Sequence, residues 1–146
     1  QLFMGTLRDN LLVGMTDPGD DILKGVAQQT GLQHAVLAHH PMGFDLPIQE
    51  GGHGLSGGQR QLVNLTRVFL RRPRIWLMDE PTASMDRQLA EHVTSALQQA
   101  LRPQDTLILV THKPEMLTLV DRLMVVAKQE IVLDGPKEHI LKKLQA

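Results

Sequence analysis

The apolar positions change their spacing along the chain, and three periods can be read from it. From Thr6 to about His40, short helical patterns are separated by turn clusters such as Thr16-Asp17-Pro18-Gly19-Asp20, so this half reads as small helices. The stretch from Pro41 to Gly54 holds two prolines and four glycines and predicts an irregular surface loop. Ser56 with Gln59 three residues later has capping-box spacing, and Leu62, Leu65 and Phe69 then recur at helical intervals, which predicts a helix from about Gly57 to Leu70. Arg71, Arg72 and Arg74 around Pro73 close it.

After Arg74 the texture becomes α/β. Ile75-Trp76-Leu77-Met78 is apolar without alternation, as expected of a strand covered on both faces of a parallel sheet. Asp86 is placed to cap a helix whose Leu89, Val93, Ala96, Leu97, Ala100 and Leu101 share one face, and Thr106 to Val110 predicts a second buried strand. Strand, helix and strand make a right-handed parallel crossover. Leu123 to Ala127 and Ile131 to Leu133, flanking Lys128-Gln129-Glu130, predict a hairpin, followed by a last helix from about Lys137 to Leu144.

Composition narrows the classes. The 146 residues can build a real core, and a net charge of -1 leaves no electrostatic footprint for nucleic acid. With no cysteine there is neither a disulfide frame nor a thiolate metal site, and the chain is compatible with a reducing compartment. No apolar run reaches the roughly 18 residues that cross a bilayer, so this stretch does not itself span a membrane. The chain opens at Gln1 inside an apolar phrase, and that boundary is expected to be artificial. The remaining histidines, among them His34, His39, His53 and His92, form no metal-ligand pattern and read as solvated or capping residues; the seven methionines form no stripe and read as core filler.

The candidate chemistry sits where buried strands end. Asp79-Glu80 follows one strand and Thr111-His112 the other, at the carboxyl ends where open α/β sheets bind ligands. Two adjacent carboxylates repel each other, and a divalent ion such as Mg²⁺ relieves that; a helix cap or salt-bridged pair is the alternative. Leu55-Ser56-Gly57-Gly58-Gln59 opens a helix, so free N–H groups and two glycines there suit an anion, unless the motif is only a capped helix with a glycine hinge.

LSGGQRQ at Leu55 to Gln61, IWLMDEPTASMD at Ile75 to Asp86, and Thr111-His112 resemble, in order and spacing, the signature motif, the Walker B motif with D-loop, and the switch histidine of ABC transporter ATPases. Gly5 to Asn10 (GTLRDN) and Gly43 to Gly54 (GFDLPIQEGGHG) resemble exporter-type domains, most closely those of bacterial type I secretion systems. The resemblance implies an incomplete P-loop NTPase-like α/β fold: a helical subdomain over residues 1–73, then the C-terminal half of the mainly parallel core over 74–146. It implies ATP and Mg²⁺ as cofactors, with Asp79 orienting the metal through water, Glu80 polarising the attacking water and His112 sensing the γ-phosphate. Leu55, Ser56, Gly57, Gly58 and Gln59 are expected to meet ATP held by a second ATPase domain arranged head to tail, with Ser84 and Asp86 along the same interface.

Further partners implied are a transmembrane domain of the same transporter and an exported protein, with the ATPase on the cytoplasmic face of the bacterial inner membrane and no nucleic acid involved. Pro47 and Gln49 depart from the family's usual Thr and Gly in the segment that senses the membrane domain. The phosphate-holding G-x-x-x-x-G-K-[ST] loop occurs nowhere, and there is no tyrosine to stack on adenine. The stretch alone is therefore expected to be catalytically incompetent, and Leu77, Leu107 and Leu109 are expected to expose apolar faces that favour aggregation. Two other readings remain open at this point: a soluble ABC ATPase with no transport role, and a degenerate regulatory subunit that supplies only the signature face.

Overall fold

The computed structural model describes residues 1–145. The N-terminal half is helical, as the sequence predicts. A two-residue strand β1 (Gly5–Thr6) leads into α1 (Leu7–Leu11), which Thr6 and Asp9 cap reciprocally; α2 (Asp20–Thr30) and α3 (Leu32–Ala35) follow. Gly31 separates the last two in a left-handed conformation (φ 88°), as a helix C-terminus often requires. The segment 41–54 is more ordered than its prolines and glycines suggest. Two 3₁₀ turns, Gly43–Asp45 and Glu50–Gly52, flank β2 (Pro47–Ile48), which pairs antiparallel with β1. Proline is tolerated there because an isolated two-strand pair leaves its N–H side unpaired.

Helix α4 (Gly57–Arg71) is the hub. Leu62, Val63, Leu65 and Phe69 are buried from it, and α1, α2 and α3 all pack on it. Arg67 reinforces the seam: its guanidinium donates to both the carbonyl and the side-chain oxygen of Asn10, itself a fully buried residue. Strand β3 (Ile75–Asp79) joins the same core through Trp76, whose ring meets Phe69 edge-on at 5.6 Å. Helix α5 (Arg87–Ala100) adds Ala90, Val93, Ala96 and Leu97. One continuous cluster thus runs from Leu2 to Met116.

β3 pairs in parallel with β4 (Thr106–Val110), Ile75 opposite Thr106 through Asp79 opposite Val110. This is the predicted crossover. It is covered on one face only, so the expectation of strands buried on both sides is corrected. Trp76 and Met78 face the core with Leu107 and Leu109 packed against it, while Ile75, Leu77, Ile108 and Val110 face outward, Leu77 at 72% exposure. The expected exposed set of Leu77, Leu107 and Leu109 is right for Leu77 alone. The pleat, with its period of two, turns the odd positions of β3 and the even positions of β4 to the same open side.

β5 (Arg122–Ala127) and β6 (Glu130–Pro136) form the predicted hairpin, with α6 (Lys137–Gln145) closing it through buried Ile140. The two loop residues, Lys128 (φ 51°) and Gln129 (φ 66°), both have positive φ, the pattern of a tight turn that matches strand twist. Met78, Met85 and Met116 fill the core as expected, but Met4, Met42 and Met124 are exposed.

Candidate functional site

The tip of the β3–β4 pair gathers the first group of candidate residues. The β3 pleat turns Asp79 to the open face, leaving its carboxylate exposed. Glu80 follows at φ 44°, a left-handed conformation that costs an L-residue roughly 1 kcal/mol and turns the chain sharply out of the sheet. Its backbone N–H still donates to Val110 across the sheet at 2.9 Å. Its carboxylate reaches back over β4: the His112 backbone N–H donates to Oε1 at 2.8 Å, and the Thr111 hydroxyl lies 3.5 Å from Oε2. The His112 ring is 96% exposed, its Nε2 3.8 Å from Glu80 Oε1. Asp79, Glu80 and His112 therefore share one strand end.

The second group surrounds the start of α4. Ser56 and Gln59 make the predicted capping box, the Gln59 N–H donating to the Ser56 hydroxyl oxygen and the Ser56 N–H to the Gln59 amide oxygen. The other end of that amide donates to the Ala35 carbonyl at 2.7 Å, so both ends of the Gln59 side chain are engaged within the chain. Leu55 places its side chain in the core, and its carbonyl accepts from Arg60. Asp86 accepts from the Leu89 N–H and caps α5. Ser56, Gly58, Gln59, Ser84, Asp86 and His92 line a shared cavity of about 540 Å³. His92 also ties α5 to α2 through the Gln29 carbonyl at 3.0 Å.

The turn from Glu80 to Met85 joins the two groups, and the start of α4 is docked on it. An added Cβ at Gly58 would stand 2.7 Å from the Ser84 carbonyl oxygen and 3.4 Å from Met85 Cα. Gly58 is thus needed for contact with this chain's own backbone. At Gly57 the nearest atom would be the Ser84 Cβ at 3.4 Å, an ordinary contact. The Ser84 carbonyl thus requires glycine at 58, whereas no close backbone contact requires it at 57. Two residues the sequence reading did not single out hold the same turn. Gln61 donates to the Glu80 carbonyl and accepts from the Ser84 N–H, and the Lys113 ammonium donates to the Thr82 carbonyl at 2.7 Å. Gln61 lies four residues after Gly57 and three after Gly58, on the helix face they share, which is the signal that could have found it.

The donor set fits a magnesium nucleotide. Two adjacent carboxylates have, among the described residues, His112 as their only ion-pair contact, and hard oxygen donors of this kind suit Mg²⁺. At the head of α4 the N–H groups of Gly57 and Gly58 precede the first residue able to bond within the helix, while those of Ser56 and Gln59 are satisfied by the box. Nothing among the described residues accepts from that pair, and N–H groups at a helix head favour phosphate oxygens.

The ABC transporter family profile matches residues 4–83, more than half of the chain. The chain belongs to the ABC transporter family. It is 32% identical over 143 residues to Multidrug resistance protein 3 of Entamoeba histolytica, covering 96% of this chain and 11% of that protein. It is 33% identical over 144 residues to the ABC-type transporter fsqE of Aspergillus fumigatus, covering 97% of this chain and 11% of that one. The chain thus spans about a tenth of the length of these relatives. Among solved structures, a bacterial Atm1-family ABC exporter with ATP bound superposes with a TM-score of 0.86 at 24% identity, over 97% of this chain and 25% of that one. The fold is accordingly that of part of an ABC exporter ATPase domain, α/β as expected.

Proposed function

We propose that this chain supplies the signature helix, the water-activating carboxylate and the switch histidine of an ATP-hydrolysing domain that powers an ABC exporter. The observation that carries the reading is the convergence of Asp79, Glu80 and His112 on one strand end, with the head of α4 docked on the turn that follows. A magnesium triphosphate, when bound, would supply an electrophilic γ-phosphorus, and Asp79 would be the carboxylate that helps to hold the metal's charge. The His112 N–H holds Oε1 of Glu80, and Oε2, with only the Thr111 hydroxyl at 3.5 Å beside it, is the oxygen that would take a proton from water as that water bonds the γ-phosphorus and the bond from the γ-phosphorus to the departing diphosphate breaks. That proton stays on Oε2. Most of the catalysis in phosphoryl transfer is positioning and charge stabilisation, so the fixed orientation of this carboxylate matters more than its basicity.

Residues 1–73 act in this reading as the helical subdomain and 74–146 as part of the core. Ser56, Gly57 and Gly58, with Leu55 and Gln59 holding them, present the head of α4 to a nucleotide carried by a second ATPase domain, Ser84 and Asp86 lying beside it. A transmembrane domain of the same transporter is the mechanical partner. The phrases GTLRDN and GFDLPIQEGGHG further support an exporter of the bacterial type I secretion kind, with an exported protein as cargo and the ATPase on the cytoplasmic face of the inner membrane.

The test is ATP hydrolysis by the full-length gene product with and without Glu80→Gln, alongside the 146-residue stretch alone. Loss of about 10²-fold or more in kcat on removing the carboxylate is expected from the usual contribution of a general base, with the isolated stretch inactive. Unchanged turnover in Glu80→Gln, or robust turnover by the stretch alone, refutes the assignment. The cargo reading is tested separately, by whether deleting the gene stops secretion of a large protein into the medium or instead raises sensitivity to small drugs.

A further inference from the structure

The geometry points to Gln61 as a positioning residue that fixes Glu80 to the head of the signature helix. Its amide bridges both ends of one turn: Nε2 donates to the Glu80 carbonyl at 2.7 Å, and Oε1 accepts from the Ser84 N–H at 3.0 Å. Only one orientation of the amide satisfies both partners, a backbone acceptor at one end and a backbone donor at the other. Within the turn, the Ala83 N–H to the Glu80 carbonyl at 3.1 Å and the Met85 N–H to the Thr82 carbonyl at 3.2 Å are the main-chain bonds. Glu80 itself sits at φ 44°, a conformation that persists only where its surroundings impose it. Gln61 imposes it from α4 and Lys113 from the segment after β4.

One side chain therefore links two sites. The face of α4 that carries Gln61 also carries Gly57 and Gly58, which meet the turn at Ser84. A shift of the helix head passes through the amide to the Glu80 carbonyl, and from there to its carboxylate, by a chain of direct bonds. This inference rests on the reading of Glu80 as the group that activates water.

The test uses the full-length gene product with Gln61→Leu and Gln61→Glu. Two quantities are read: amide hydrogen exchange of residues 82–85 without nucleotide, and kcat and KM for ATP from about pH 5.5 to 7.5. Gln61→Leu is expected to speed exchange in that turn while leaving α5 unchanged, and to lower kcat about 10- to 100-fold with KM within about twofold, because misplacing a catalytic group by about 1 Å carries losses of that order. Gln61→Glu keeps an acceptor for the Ser84 N–H but, ionised, loses the donor to Glu80. As the pH falls toward the ordinary glutamic acid value of about 4.3, a growing fraction of the carboxyl, about 6% at pH 5.5, is protonated and donates again, so the activity of this variant relative to wild type is expected to rise about 1.5-fold for a 10-fold deficit and about sixfold for a 100-fold one across the range. A wild-type kcat in Gln61→Leu, or a Gln61→Glu deficit that ignores pH, overturns the proposal. Turnover that survives Glu80→Gln overturns the functional reading instead, while exchange in residues 82–85 still decides whether Gln61 holds the turn.

Discussion

Replacing Gly58 by alanine separates packing from ligand binding. A methyl there would lie 2.7 Å from the Ser84 carbonyl oxygen and 3.4 Å from Met85 Cα, both backbone atoms that cannot rotate aside. An ordinary carbon–oxygen contact needs a further half ångström or more, so either the helix head lifts or the Glu80–Met85 turn moves. Overpacking of this kind costs about 1–3 kcal/mol, against a helix-propensity gain of at most ~1 kcal/mol for removing a glycine. The net loss, up to about 2 kcal/mol once the full propensity gain is subtracted, falls on the turn, because α4 is anchored along its length by buried Leu62, Val63, Leu65 and Phe69. Converted to local opening at 1.36 kcal/mol per decade, it predicts amide exchange in residues 82–85 up to about 30-fold faster without any nucleotide. Gly57→Ala, whose methyl would stand 3.4 Å from the Ser84 Cβ, is expected to leave exchange within about twofold. If nucleotide-free Gly58→Ala exchanged like wild type, or both variants behaved alike, the packing argument would be wrong and the glycines would be selected by the ligand alone.

Other outcomes follow from the rest of the fold. Changing Lys128-Gln129 to Asn-Gly puts at both positive-φ positions residues that tolerate that conformation and is expected to stabilise the β5–β6 hairpin by about 1 kcal/mol, measured as a rise in the urea midpoint with unchanged slope. Leu77→Thr with Ile108→Thr removes paired apolar groups from the open sheet face; sedimentation of the 146-residue stretch should show less self-association with the circular dichroism spectrum unchanged, and equal association would count against that face as its cause. Hydrogen bonding to the Arg102 side chain holds Asp105 below its ordinary value of 3.8, and the Arg122 side chain does the same for Asp134. A lowered carboxyl pKa adds stability that is complete above 3.8 and lost as the pH falls through the lowered value, so the urea midpoint should change little on account of these groups between about pH 6 and 8 and drop below about pH 4. Asp134→Asn should narrow its gap from wild type over that acid window, and a gap independent of pH would refute the linkage.

The legible parts of this chain were those in which one period or one cap decides the outcome. Ser56 and Gln59 announce the head of α4, Asp86 announces α5, and the apolar runs give β3, β4 and the hairpin to within three residues. What was not legible depends on neighbours. An unbroken apolar run is what a strand buried on both faces looks like, yet the described residues bring helices to one side only, and no pattern within Ile75–Met78 encodes which side is open. Likewise β2 rests on pairing with β1 some forty residues earlier, a long-range contact that Pro47 disguises.

The site was legible as a set of residue types and illegible as a set of contacts, for a physical reason. Gly58, Gln59, Gln61 and Asp86 stand in a pattern that suits phosphate binding, and the same pattern serves the chain's own structure: Gly58 admits the Ser84 carbonyl, Gln59 bonds Ala35 and Ser56, Gln61 spans the turn after Glu80, and Asp86 caps a helix. Side chains so fully engaged present their surroundings to a ligand without reorganising, which is what electrostatic catalysis requires of a positioned site. The groups least committed are then the informative ones: the Asp79 carboxylate, the exposed His112 ring, the N–H groups of Gly57 and Gly58, and Oε2 of Glu80, which has only the long Thr111 contact. Substituting a committed residue should therefore alter exchange in the empty protein, whereas substituting an uncommitted one should leave the empty protein unchanged and act only when nucleotide is present.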